Sequence, residues 1–164
     1  MFTFRCTQKL IKRLSLPVIS NPPNPTTQLG DWYGNVLFIR HHRLMMFVSD
    51  RSLLPVIMPI RERQNLLINF QKRLSTHLMQ LGIEERFVVD ELAQMDEYVI
   101  APTASPSVLG SMNDFTQNAK VYFKMRDNIR LLDLELWLAE APCGAMDYRS
   151  PNQVAPELLA LGSG

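Results

Sequence analysis

The chain has almost no cysteine. Cys6 and Cys143 are the only two among 164 residues, and they stand far apart. Such a pair makes neither a disulfide framework nor a metal knuckle, so two free thiols in a reducing cytosol are expected. The three histidines, His41, His42 and His77, fall in no H-E-x-x-H or related ligand spacing; no metal and no cofactor is expected. No apolar run approaches the ~20 residues that cross a bilayer, so no membrane partner is expected. The opening Met-Phe-Thr-Phe-Arg-Cys lacks the apolar core and cleavage site of a secretory leader, which makes the cytoplasm the expected location. The nucleophile elbow G-x-S-x-G, the phosphate loop G-x-x-x-x-G-K-S/T and the dinucleotide fingerprint G-x-G-x-x-G are missing. With them go the usual marks of an enzyme.

What is present fits one soluble domain with a core of its own. Hydrophobic residues make up 46% and charged residues 20%, ordinary values for a chain of this length. The formal net charge of +1 conceals an asymmetry: residues 1–82 hold 11 Lys and Arg against 3 Asp and Glu, and residues 83–164 hold 6 against 13. Either the two halves neutralise each other, or the first half offers a basic face to an anionic partner.

Residues 2–6 alternate apolar and polar and predict a strand. Thr7 then caps a short helix over 8–14, with Leu10, Ile11 and Leu14 on one side and Lys9, Lys12 and Arg13 largely on the other. Residues 15–29 hold four prolines and cannot form a regular helix or a central strand; they predict an ordered wrap or a mobile loop. Three β-rich segments follow at 35–40, 44–49 and 53–58, separated by short polar gaps, which predicts an antiparallel meander. Pro55 puts the third at an edge or a bulge, because it cannot donate to a ladder. Near-continuous apolar character covers the first two on both faces. His41 and His42, if extended, point to opposite sides in a solvated turn.

From 62 to 81 the period changes to 3.6, with Leu67, Phe70, Leu74, Leu78 and Leu81 in one stripe and Gly82 as the stop. A second helix over 84–95 and a strand near 97–101 follow. Ser105-Pro106 opens a core-facing helix to 124, whose stripe is Val108, Met112, Phe115, Ala119 and Tyr122; Ser111 and Asp114 repeat the capping spacing one turn later. The segment 129–140 is apolar on nearly every side. Such a helix is central to a domain or half of an interface, and Leu131, Leu134 and Trp137 are its candidate contacts for a protein partner or a second copy. Residues 151–164 are expected to lie along the surface and fray.

Three sets of residues are candidates for function. Asp31, Trp32 and Tyr33 join an acid to two aromatics whose N–H and O–H need partners if buried, and they suit a polar network or a stacking surface. Ser111, Asn113 and Asp114 sit near a helix start, where Gly110-Ser111 suits capping or an anion. If the two segments converge, they make a small enzyme's cleft. Arg5, Lys9, Lys12, Arg13, Arg40 and Arg43 are the candidate phosphate contacts of a nucleic-acid-associated protein. Cys6, beside Arg5 and a helix start yet on the apolar side of its strand, reads as a buried structural thiol.

Arg5-Cys-Thr-Gln-Lys-Leu-Ile-Lys-Arg-Leu14, Leu29-Gly-Asp-Trp-Tyr33, Ser107-Val-Leu-Gly-Ser-Met-Asn-Asp-Phe115 and Ala141-Pro-Cys-Gly144 resemble the marker segments of a bacterial family known only as a domain of unknown function. The resemblance spans roughly residues 2–150. It implies a small stand-alone bacterial protein and brings no activity, cofactor or catalytic residue. Family members often carry Ala after Asp-Trp-Tyr, where this chain has Gly34, a difference expected to alter a local turn. The expected architecture is one α+β domain over 2–150, a mostly antiparallel sheet of about five strands covered by four to five helices, with a tail over 151–164. The leading functional expectation is a non-catalytic binding or protein-interaction module, with nucleic-acid association and a small enzyme as alternatives.

Overall fold

The computed structural model describes residues 1–162. Five strands, β1 (Phe2–Cys6), β2 (Trp32–Ile39), β3 (His42–Ser49), β4 (Pro55–Pro59) and β5 (Tyr98–Pro102), form one sheet in the order β4-β3-β2-β1-β5. The sheet is mixed. The meander β2-β3-β4 is antiparallel, as the short polar gaps require, while β1 lies parallel to both β2 and β5. Six helices cover it: α1 (Gln8–Leu14), α2 (Leu66–Gln80), α3 (Glu85–Ala93), α4 (Pro106–Lys124), α5 (Leu131–Leu138) and α6 (Pro151–Leu161).

The two faces carry separate cores, which explains why β2 and β3 read as apolar on both sides. One face packs Phe2, Phe4, Trp32, Phe47 and Val56 against Phe70 and Leu74 of α2, with Leu10 of α1 in the same cluster. The other packs Tyr33, Leu37, Met46 and Ile57 against Met112 and Phe115 of α4 and Leu134 of α5. Edge-to-face contacts of Phe70 with Phe4, Trp32 and Phe47, at 5.1, 4.9 and 5.5 Å, knit the first core.

Several boundaries move from their expected places. β2 begins at Trp32, so Trp32 and Tyr33 enter the sheet and Asp31 stands just before it. The β2–β3 turn is only Arg40-His41, with Arg40 in the left-handed region at φ 55°. That tight turn brings the rings of His41 and His42 to 4.3 Å, where an extended chain would have turned them apart. Gly34 lies within β2, not in a turn: a Cβ there would meet Phe47 Cε1 at 2.6 Å and Leu10 Cδ2 at 2.8 Å. Residues 60–65 form a 3-10 turn before α2.

The Pro-rich segment is an ordered wrap. Val18 bridges Ile100 on the outer edge of β5, and the N–H groups of Gln28 and Leu29 donate to the buried Glu91 carboxylate at 2.7 and 2.9 Å. Residues 151–161, expected along the surface, are instead helix α6, which packs on α3 and buries Ala155 and Leu159. Its start carries the same signal as α4: Ser150 precedes Pro151, and its N–H donates to Gln153 Oε1.

Candidate functional site

The basic corner is assembled by strand alternation. Successive β2 residues face opposite sides, so Gly34, Val36 and Phe38 turn toward α1. Gly34 lets α1 approach closely, and the hydroxyl of Thr7, which caps α1, donates to Asn35 Oδ1 at 2.6 Å. Arg13, in the last turn of α1, therefore reaches Phe38, its guanidinium 5.3 Å from the ring centroid. Arg43 is the direct cross-strand partner of Phe38 and reaches the same ring at 5.1 Å. Phe38 stays 39% exposed, which leaves the cluster open to a partner. Among the described residues neither arginine forms an ion pair, and neither do Lys9, Lys12 or Arg40. Arg43 also lines an adjoining groove of about 460 Å³ with His41, His42 and Arg61, and no carboxylate is among its lining residues. Desolvation, then the charges of His41 and Arg40, hold His42 below the usual imidazole range.

Arg5 departs from its group. Its Nη1 donates to the carbonyl of Pro102 at 3.3 Å and its Nε lies 3.7 Å from Asp31 Oδ2, so it is spent within the fold.

The acid–aromatic candidates do not make a cleft with Asn113 and Asp114. Asp31 is buried, accepts the N–H of Thr3 at 2.9 Å, and donates its own N–H to Asp50 Oδ1 at 3.1 Å. Burial raises the Asp31 carboxyl, and burial together with the Asp31 charge raises Asp50 to about 6. Trp32 goes into the core beneath α2, on the face opposite α4. Only Tyr33 meets α4: its hydroxyl accepts the N–H of Ser105, whose own side chain caps the helix at Val108. Ser111 is half-buried, while Asn113 and Asp114 are exposed along α4. In α5, Leu134 is fully buried and cannot reach a partner; Leu131 is half-buried and Trp137 is 37% exposed. Burial drives the Cys6 thiol up to about 12, which makes it inert.

The sequence offered no warning of a second polar site, at the open edge of the sheet. The outward positions of β4 are Pro55, Ile57 and Pro59. Two are prolines, without a donor. The third, Ile57, donates its N–H to Glu135 Oε2 at 2.6 Å, and the Pro55 carbonyl accepts from His77 Nδ1 at 3.0 Å. Helices α2 and α5 thus finish the edge with side chains where a sixth strand would pair. Burial raises the Glu135 carboxyl to about 8 and lowers His77 to about 4, so both are neutral at pH 7. A pocket of about 260 Å³ opens above Glu135, walled by Lys72, Arg73, Glu62 and Thr76.

These features define a mixed α+β domain with a basic, aromatic corner and a capped sheet edge. The chain belongs to the family described as Domain of unknown function (DUF6933), whose model matches residues 3–154. No curated protein and no solved structure matches it.

Proposed function

We propose that the protein is a non-catalytic binding module of a bacterial cytoplasm, and that it takes single-stranded nucleic acid at the basic corner. The observation that carries this reading is the placement of Arg13 and Arg43 around the exposed ring of Phe38, with no carboxylate among the described residues paired to either. Guanidinium groups neutralise phosphates, and an exposed aromatic ring offers a stacking surface to any base. The neighbouring groove adds Arg61 and two imidazoles. The corner joins residues from α1 and from the β2–β3 hairpin, which supports a surface built for contact and not for chemistry.

A fluorescently labelled single-stranded oligonucleotide, titrated at low and at moderate salt, tests this. Binding is expected at low salt and falls steeply as salt rises. Replacing Arg13 and Arg43 together with Ala reduces the slope of log K against log salt by about one per residue. No binding at low salt, or binding indifferent to the double change, overturns the reading.

Self-association through α5 is the second reading, supported by Trp137, which keeps 37% of its surface exposed while its ring lies tilted at 46° and 5.2 Å from that of Tyr122. Sedimentation over a wide concentration range checks it: a monodisperse monomer throughout removes it.

A further inference from the structure

We infer that the pocket above Glu135 is a binding site for a small oxyanion, a carboxylate or a phosphate group. Glu135 Oε2 is committed to the Ile57 N–H, whereas Oε1 accepts no hydrogen bond among the described residues. The nearest nitrogen to it, Nδ1 of the neutral His77, is 3.8 Å away and already committed to the Pro55 carbonyl. Oε1 is therefore the carboxyl atom left for a ligand, and with a proton on it the group is a donor.

The walls decide the ligand's charge. Arg73 is locked on Glu62 through two bonds of 2.8 and 2.7 Å, which cancels that pair. Lys72 has no ion-pair partner among the described residues and remains as the net charge of the pocket. A cationic ligand would meet the unpaired Lys72 ammonium while the Glu62 carboxylate is spent on Arg73; an oxyanion meets an ammonium and a carboxyl O–H together. Burial supports this by keeping Glu135 protonated up to about pH 8. The titratable and charged groups facing it are Lys72, Arg73 and His77 from α2 and Glu62 from the 3-10 turn; β4 contributes only backbone groups, and Asp133 on α5 is paired with Arg130.

The test is an NMR titration of the full-length 15N-labelled protein with sodium acetate and, separately, inorganic phosphate, against sodium chloride at matched ionic strength. Saturable shifts are expected at the amides of Ile57, Lys72, Arg73 and Thr76. The anion that saturates first identifies the source as carboxylate or phosphate. Lys72→Met, a change at an exposed position, weakens binding at least about tenfold. Binding to the parent protein weakens as pH rises through about 8. Glu135→Gln keeps both an acceptor for Ile57 and a donor for the ligand, so it binds without that pH dependence. If Glu135→Gln fails to fold, Lys72→Met and the parent pH series still decide. Shifts that chloride reproduces, no saturation with either anion, or affinity untouched by Lys72→Met overturns the proposal.

Discussion

At the hairpin corner, Arg13 and Arg43 keep their charges in water beside an exposed ring and form no ion pair among the described residues, whereas at the β4 edge the buried side chains of Glu135 and His77 hold backbone groups. The first pair adds little to stability, since solvated charges contribute little, and is free to meet an anion. The second pair is neutral at pH 7, because burial penalises its charged forms, and its hydrogen bonds close an edge that would otherwise pair with another chain. The same chain therefore uses polar side chains in two ways. Burial decides which.

The sharpest way to break this contrast is at the edge. Glu135→Ala leaves the Ile57 N–H buried without an acceptor and opens a cavity, and is expected to cost about 2–4 kcal/mol in urea denaturation. Gly34→Ala attacks the corner from beneath: its Cβ would lie 2.6 Å from Phe47 Cε1 and 2.8 Å from Leu10 Cδ2. That overpacking is expected to cost about 1–3 kcal/mol by the same measurement and to loosen Arg13 from Phe38.

The pH dependence of stability sharpens the comparison further. The folded Glu135 holds a proton that the unfolded chain releases, so its contribution falls as pH rises from 4.5 to about 8. The folded His77 refuses a proton that the unfolded chain takes, so its contribution is full above pH 6.5 and is lost as pH falls toward about 4. Denaturation midpoints across this range are expected to show Glu135→Gln flattening the alkaline limb and His77→Asn the acid limb. The smallest effect belongs to the corner: Arg13→Ala with Arg43→Ala is expected to leave stability within about 0.5 kcal/mol by thermal unfolding, while oligonucleotide affinity drops.

Much of the fold was legible. Thr7 and Ser105 cap α1 and α4 where their spacing says, and the five inward residues of the α4 stripe are all buried. Pro55 marked an edge strand, and β4 is one. Ser150 and Gln153 stand at the capping-box spacing with Pro151 at the first helical position, and the helix they open takes the place of the expected surface tail. The candidate sites were harder to see. Asp31 and Trp32 have the composition of a site and are spent on Thr3 and on the core; Glu135 lies in a helix otherwise nearly all apolar, and nothing in its neighbours points to Ile57.

The order of residues alone settled the caps, the buried stripes and the antiparallel meander, because each depends on neighbours within a turn or a short loop. Only the tertiary structure placed β1 between β2 and β5, set Arg13 beside Phe38, and turned Glu135 onto Ile57. Those contacts join residues far apart in the chain. No local pattern encodes them, since each joins residues that only the assembled sheet brings together.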